Sequence, residues 1–387
     1  MIKRKISQAI LKLKNKYPVI SITGPRQSGK TTLAKKLFKN YQYYNLESLD
    51  LLSAAKDDPR GFLQIGSKKR LIIDEVQKYP DLLSYIQVET DTQQIPGQFI
   101  ITGSQQFALN EKIAQSLAGR VANFTLLPFS IAELKKTQYS KDSHLKLIHR
   151  GFYPRIYDKK IGPKDFYRDY LFTYVERDVR QIKNVGNLNS FQKFLQLLAG
   201  RVGQLVNLSS LANDTSVSYK TIDSWLSILE ASYITFSLQP YYKNFGKRLI
   251  KSPKIYFYDT GLLCYLLGLD SLKELKSHYA LGSIFENLII TDVLKKIHNT
   301  RSSNKLYFWH DNNRNEVDLI IDKGNKKEGV EIKVSSTYSS DMLKGLNFWQ
   351  NLSHQSKIEN SIIYTGSINQ KVKSINILNW REFLSLE

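Results

Sequence analysis

The sequence predicts an α/β protein. It should hold a parallel sheet with helices on both faces, then a helical middle with a helix-turn-helix, then a second α/β block. Three observations carry this expectation. Short apolar runs alternate with helical patterns up to about Leu134, the pattern of strands joined by crossover helices. Between about Arg150 and Leu269 helical spacing dominates, and strand-like runs are few. From about Ala280 a long helical pattern is followed by a series of strand candidates. The 387 residues are enough for two or three domains. The expected boundaries are 1–140, 141–275 and 276–387.

The elements follow in order. Val19–Thr23 reads as a buried strand, followed by a glycine-rich turn and a helix over Thr31–Lys39. Tyr43–Leu46, Leu71–Val76 and Phe99–Thr102 read as further strands, and the region Leu126–Leu134 as strand, turn and helix start. In the middle block, Ser210–Asn213 and Ser218–Glu230 flank a polar turn. Leu208, Leu211, Val217, Ile222, Trp225, Leu226 and Leu229 have the spacing of a helix-turn-helix core. The stretch after it can form a two-stranded wing. The last block opens with an amphipathic helix over Gly282–Lys296. Strands over Lys305–His310, Glu316–Ile321 and Gly329–Ser335, a helix over Ser339–Asn351 and a final strand over Ile362–Gly366 follow.

Charge and composition narrow the function classes. Lys and Arg number 56 against 35 Asp and Glu, a net charge of +21, with +12 in residues 1–150 and +9 beyond. Such a chain favours polyanions, nucleic acid first and an anionic membrane surface second. Lysine-rich codon usage is the competing origin of the charge. The single cysteine, Cys264, excludes a disulfide-stapled scaffold and a zinc cluster, and its apolar neighbours make it a buried hydrophobe. No apolar run reaches the length of a membrane span, and the basic N-terminal run lacks the apolar core of a signal peptide. A cytoplasmic protein is expected.

The most specific signal is the run Gly24, Pro25, Arg26, Gln27, Ser28, Gly29, Lys30, Thr31 and Thr32, which fits GxxxxGK[ST] between a strand and a helix. In a P-loop of this kind backbone N–H groups and a helix N-terminus cradle phosphates. Lys30 reaches the β- and γ-phosphates, and Thr31 offers its hydroxyl to Mg²⁺. The partner motif lies 44 residues beyond Lys30. There an apolar strand delivers Asp74, a ligand for Mg²⁺, and Glu75, the polariser of the attacking water. Phe99–Ser104 ends in hydroxyls where a sensor group would meet the γ-phosphate or the water. Ser104 is the first candidate and Thr102 the second, against a plain strand-end turn. Arg120 could neutralise the phosphoryl transition state in cis or from a neighbouring subunit, or serve as a surface arginine. ATP and Mg²⁺ are the expected cofactors.

Several stretches together resemble a family: GPRQSGKTTL, LIIDEVQKYPDL, FIITGSQQF, LAGRV and LLPFSIAEL, then YLFTYVERDV, PKIYFYDTGLL, GSIFEN and NEVDLII with EIK. They are similar to the AAA-superfamily ATPases of bacteria and archaea in which a C-terminal domain of unknown function follows the ATPase. The resemblance covers nearly the whole chain. It implies ATP binding and hydrolysis and leaves the cellular role open.

The last block carries a second cluster. Strand periodicity puts Glu331 and Lys333 on one face of their strand. A hairpin turning at Lys323–Asn325 would bring Asp318 beside Glu331, and Glu286 on the preceding helix can complete the set. Two carboxylates and a lysine so spaced can bind Mg²⁺, with Asp318 and Glu331 as ligands, and activate water against a phosphodiester. The arrangement resembles the PD-(D/E)xK core of restriction-endonuclease-like domains, with catalytic candidates Glu286, Asp318, Glu331 and Lys333. A binding remnant and a solvated charged face are the alternatives. Arg314, His310 and Trp309 lie nearby. Lys220, Lys243, Lys247, Arg248 and Lys251 around the helix-turn-helix and wing could contact DNA phosphates, or the segment could serve protein packing. Glu176, Arg177 and Asp178 read as a salt-bridge network. The expected function is a P-loop ATPase with a nuclease-like C-terminal domain acting on or near nucleic acid, DNA favoured, with homo-oligomers a further expectation. The rival is a nucleotide-gated scaffold that binds protein or DNA without cutting.

Overall fold

A computed structural model describes residues 2–64, 70–104, 112–113, 115–174, 188–241, 252–311, 313, 315–352 and 357–385. Glu176, Arg177, Asp178, Lys243, Lys247, Arg248, Lys251 and Arg314 lie outside the described residues. The chain forms two compact units. The first comprises Met1–Phe129, Ala231–Tyr233 and His298–Arg301; the second comprises Ser130–Glu230, Ile234–Ile297 and Ser302–Glu387.

The first unit is built on a five-stranded sheet of β1 (Val19–Thr23), β2 (Gln42–Asn45), β3 (Leu71–Asp74), β4 (Phe99–Thr102) and β5 (Val121–Thr125). Its order is β2-β3-β4-β1-β5, and each adjacent pair is parallel. Alternate side chains feed opposite faces, which is why the strands read as unbroken apolar runs. Val19, Leu71, Ile73, Phe99 and Ile101 enter one core, and Ile20, Ile22, Ile72, Ile100 and Phe124 the other. Because the strands run the same way, the C-terminal ends of β1, β3 and β4 meet at one edge. The strand expected to begin near Leu126 is instead β5, ending at Thr125, and the helix after it is Ile131–Leu134 in the second unit.

The second unit begins with helices. Asn207 caps the helix Leu208–Thr215 by accepting from Ser210 N at 2.9 Å, Ser216 turns the chain at φ +56°, and Tyr219–Ala231 follows. Trp225 of that helix packs edge-on against Phe191 at 5.3 Å. The strands expected as a wing do pair. Here β6 (Thr235–Pro240) and β7 (Lys254–Phe257) are antiparallel, and β6 also meets β8 (Lys305–His310). They therefore form one edge of the C-terminal sheet. That sheet continues through β9 (Glu316–Asp322), β10 (Lys326–Lys333), β11 (Lys357–Tyr364), β12 (Gln370–Val372) and β13 (Ile375–Asn379) in the order β12-β13-β11-β10-β9-β8-β6-β7. Two short strands thus follow the one expected to be last.

The helix expected to be amphipathic, Leu281–Thr300, is buried on most sides, with Ile284, Phe285, Leu288, Ile289 and Ile290 all in the core. Its polar positions are fixed by pairing rather than by solvent. Asn287 reads the edge of β7 like a second strand: its Oδ1 accepts from Phe257 N at 2.7 Å and its Nδ2 donates to Phe257 O at 2.9 Å. Asp259 explains the run after β7. One carboxylate accepts from Gly261 N, Leu262 N, Tyr167 OH and Phe152 N at 2.6–3.0 Å, capping the helix Thr260–Leu266 and tying it to two distant segments. A Cβ at Gly261 would stand 2.5 Å from the Tyr167 hydroxyl, so this close approach requires glycine. Cys264 is buried here, its thiol pushed far above the usual range by burial, as its apolar surroundings predict.

Candidate functional site

The first site lies at the C-terminal edge of the parallel sheet. Gly24 leaves β1 at φ +139°, and a Cβ there would stand 2.3 Å from the Leu126 carbonyl oxygen. Gln27 and Gly29 also have positive φ, at 60° and 95°, which curls the loop before the helix Lys30–Leu37. Lys30 is buried, its Nζ donating to the carbonyls of Gly24 at 3.0 Å and Pro25 at 2.9 Å. Buried Arg4 straps the loop from outside, one arm on Ser28 O at 2.8 Å and the other on Leu127 O at 2.5 Å. Ser28 is buried and Thr32 exposed.

Asp74, at the end of β3, is 2% exposed. Its Oδ2 accepts from Thr31 Oγ1 at 2.7 Å and from Tyr43 OH at 2.7 Å, and its Oδ1 from Thr102 Oγ1. All three partners are neutral hydroxyls. Burial and the bond to Asp74 hold the Tyr43 phenol well above its usual range. Glu75 follows in the left-handed region at φ +56°, a strained conformation for a side chain of this kind. Its Oε2 accepts from Gln77 Nε2 and from Ser104 Oγ at 3.3 Å, while Gln77 Nε2 also reaches Ser104 Oγ at 3.3 Å. The two hydroxyls expected near the γ-phosphate therefore divide between the acids, Thr102 holding Asp74 and Ser104 holding Glu75. Donors of this set, a threonine hydroxyl and a carboxylate whose hydrogen-bond partners among the described residues are hydroxyls, suit Mg²⁺.

Arg120 is not brought to this edge. It precedes β5, and its carbonyl accepts from Val19 N at the start of β1, so it sits at the opposite end of the sheet from Gly24. Its guanidinium pairs with Asp91, Nε to Oδ1 at 2.5 Å and Nη2 to Oδ2 at 2.9 Å. Sequence reading missed Tyr43, Gln77 and Arg4. The signal for Gln77 was its place two residues after Glu75; for Tyr43 and Arg4 no local signal existed.

The second site lies in the second unit. The β9–β10 register pairs Leu319 with Val330, which sets Asp318 beside Glu331. Asp318 Oδ2 accepts from Ile332 N at 2.7 Å, and Lys333 Nζ stands 2.6 Å from Glu331 Oε1 and 3.6 Å from Asp318 Oδ2. Glu286 Oε1 accepts from Tyr256 OH at 2.5 Å and faces Lys254 Nζ at 3.4 Å. Lys254, 5% exposed, also binds Glu316. The structure thus gathers all four predicted residues and adds Lys254, Tyr256 and Glu316. Lys254 and Tyr256 alternate along β7, and Glu316 and Asp318 along β9, so each pair shares a face. Trp309 is a core residue stacked on Phe348, with 1% exposure.

Asp318 and Glu331 are buried rather than solvated. Burial, then the Asp318 charge, pushes Glu331 up to about 8 against the pull of Lys333. Burial pushes Glu286 up to about 7, with Lys254 opposing and Asp318 adding. Burial pulls Lys254 down, but Glu286, Glu316 and Asp318 outweigh it and hold its ammonium above the usual range. Among the described residues no group of three or more His, Cys, Asp or Glu is arranged to hold a metal ion. The carboxylates of this cluster face ammonium groups, so the arrangement does not fit a divalent ion.

Sequence comparison bears on both sites. The AAA domain model matches residues 16–135, and two domains of unknown function, DUF8612 and DUF4143, match residues 141–273 and 281–383. The uncharacterized protein Rv2008c of Mycobacterium tuberculosis is 31% identical over 327 residues, covering 84% of this chain and 72% of the relative. An uncharacterized protein of Haemophilus influenzae is 24% identical, covering 75% and 77%. Among solved structures, a Walker-type ATPase of Pyrococcus abyssi is 13% identical, covers 68% of this chain and 94% of that one, and has a TM-score of 0.46. Among the described residues no helix is long and apolar enough to cross a membrane.

Proposed function

The chain belongs to the same family as the mycobacterial protein Rv2008c and carries a P-loop AAA domain over residues 16–135, and from that premise we propose that it hydrolyses Mg·ATP in the cytoplasm, acting on or near nucleic acid. The observation that carries the hydrolytic reading is the 2.7 Å bond between Thr31 and Asp74, which joins two motifs 43 residues apart into one ligand set. The backbone N–H groups of the loop Gly24–Thr31, Pro25 having none, and the Lys30 ammonium bind the triphosphate. Thr31 and Asp74 would hold Mg²⁺, which when bound supplies charge neutralisation on the phosphates. Glu75 accepts a proton from water as it attacks the γ-phosphorus and the bond to the bridging oxygen breaks. Ser104 and Gln77 fix the Glu75 carboxylate for that transfer.

The nucleic-acid part rests on the +21 charge and on exposed Lys220 at the start of the helix Tyr219–Ala231. The helix-turn-helix, the two strands after it and the PD-(D/E)xK-like order of Glu286, Asp318, Glu331 and Lys333 support the same reading. One observation favours the non-cutting alternative, a nucleotide-gated scaffold: Lys254 stands inside the carboxylate cluster.

ATP binding and turnover by Lys30→Ala and Glu75→Gln test the ATPase. Lys30→Ala should bind ATP at least tenfold more weakly, one charge-assisted contact being worth about 1.5–3 kcal/mol. Glu75→Gln should bind normally and turn over about 100-fold more slowly. Wild-type rates in both variants would refute the assignment.

A further inference from the structure

We propose that Lys254 is a resident cation, its ammonium standing between Glu286 and Glu316 where a PD-(D/E)xK-like cluster would otherwise take a divalent metal. The inference rests on the non-cutting reading of the second unit and says why that cluster would not cut. Three observations support it. The ammonium touches carboxylates from two separate elements, Glu286 of the helix Leu281–Thr300 and Glu316 of β9, as a bridging ion does. It is delivered by a third element, β7, and is 5% exposed, so it is packed into place rather than swept in from the surface. Around it Tyr256 OH donates to Glu286, Ile332 N donates to Asp318, and Lys333 pairs with Asp318 and with Glu331 Oε1.

Among the described residues four carboxylates (Glu286, Glu316, Asp318 and Glu331) face the ammonium groups of Lys254 and Lys333.

The consequence is a gain of metal binding when the lysine is removed. The test uses full-length protein without nucleotide and Mn²⁺ as the probe, counting bound ions by electron paramagnetic resonance in wild type, Glu286→Gln, Lys254→Met and the Lys254→Met/Glu286→Gln double variant. Wild type and Glu286→Gln should bind the same number of ions. Lys254→Met should bind one more per chain than wild type, and the double variant should lose it. The Tm of Lys254→Met should rise by about 5 °C at a hundredfold excess of Mn²⁺ over Kd, while the wild type should show no increment that Glu286→Gln removes. A wild-type ion lost in Glu286→Gln overturns the proposal, as does a folded Lys254→Met that gains none. If Lys254→Met does not fold, the wild-type and Glu286→Gln counts still decide: equal counts sustain the proposal and a lost ion ends it. ATP binding is scored in the same samples. A wrong P-loop reading appears there as absent binding and leaves the difference in Mn²⁺ counts intact.

Discussion

The P-loop edge and the C-terminal cluster both gather carboxylates away from solvent, yet they satisfy them in opposite ways. Asp74 is held by three hydroxyls, which orient the acid without cancelling its charge. Glu286, Glu316, Asp318 and Glu331 are paired with the ammonium groups of Lys254 and Lys333. A motif lists acids in both places and cannot tell them apart. What distinguishes a metal ligand from a self-contained ion network is the charge of the partner, and the partners of Asp74 and of Glu286 come from other elements.

Removing the partner should expose the difference most strongly. Lys254→Met leaves Glu286 buried without its counter-charge, and breaking a buried pair in this way costs about 3 kcal/mol. Thr102→Val takes one neutral donor from Asp74 and should cost about 1 kcal/mol. Denaturant unfolding of the two variants measures both. Equal losses would mean that the charge of the partner does not matter, and the comparison would collapse.

The pH dependence should separate the sites next. Glu286 and Glu331 are raised from 4.5 to about 7 and about 8. The folded chain therefore holds more protons than the unfolded chain across that range. Their contribution is fully present below pH 4.5 and is lost as the pH rises through 7 to 8. The calorimetric Tm of the second unit should fall between pH 5 and pH 8.5, and Glu331→Gln should flatten the fall. A Tm that climbs over this range in wild type would contradict the buried state of both acids.

The same contrast explains what could be read from the sequence. The phosphate loop is legible because Gly24, Lys30 and Thr31 act within one turn of chain, where spacing is geometry. Asp318 beside Glu331 is legible for a related reason, since a hairpin turn at Lys323–Asn325 sets the register. Lys254 was not. Its place depends on β6 pairing with both β7 and β8, the latter a contact between residues 68 apart, Gln239 and Tyr307, that no local pattern announces. Tyr43 was missed likewise, because β2 reaches β3 only through a helical crossover. The helix Leu281–Thr300 misled for a physical reason: Asn287, Thr291 and Asp292 look like a polar face, but each is buried and paired with backbone.

A smaller effect sharpens the P-loop side. Gln77 presents its amide nitrogen to Glu75, the only orientation a carboxylate acceptor allows. Its loss should lower kcat by about tenfold, the equivalent of one charge-assisted hydrogen bond, with KM unchanged. A Gln77→Ala variant with wild-type kcat would mean that Gln77 only packs.

The smallest effect concerns Arg120, and its smallness is informative. Its partner Asp91 is held below the usual carboxylate range by the hydrogen bond and charge of the guanidinium, but both groups are in solvent. Exposed pairs of this kind add little to stability, because water screens the attraction and both side chains lose freedom in making it. Within one chain the arginine lies at the far end of β1 from Lys30, so cis catalysis is out of reach. Arg120→Ala should therefore melt close to wild type and match its ATPase rate in dilute solution. A role in a neighbouring subunit would make the wild-type rate per chain rise with protein concentration and leave the variant flat. Turnover from nanomolar to tens of micromolar protein, in both forms, reads this directly. Superimposed curves leave Arg120 as the surface half of an ion pair, and a wild-type rise absent in Arg120→Ala would restore it to the chemistry.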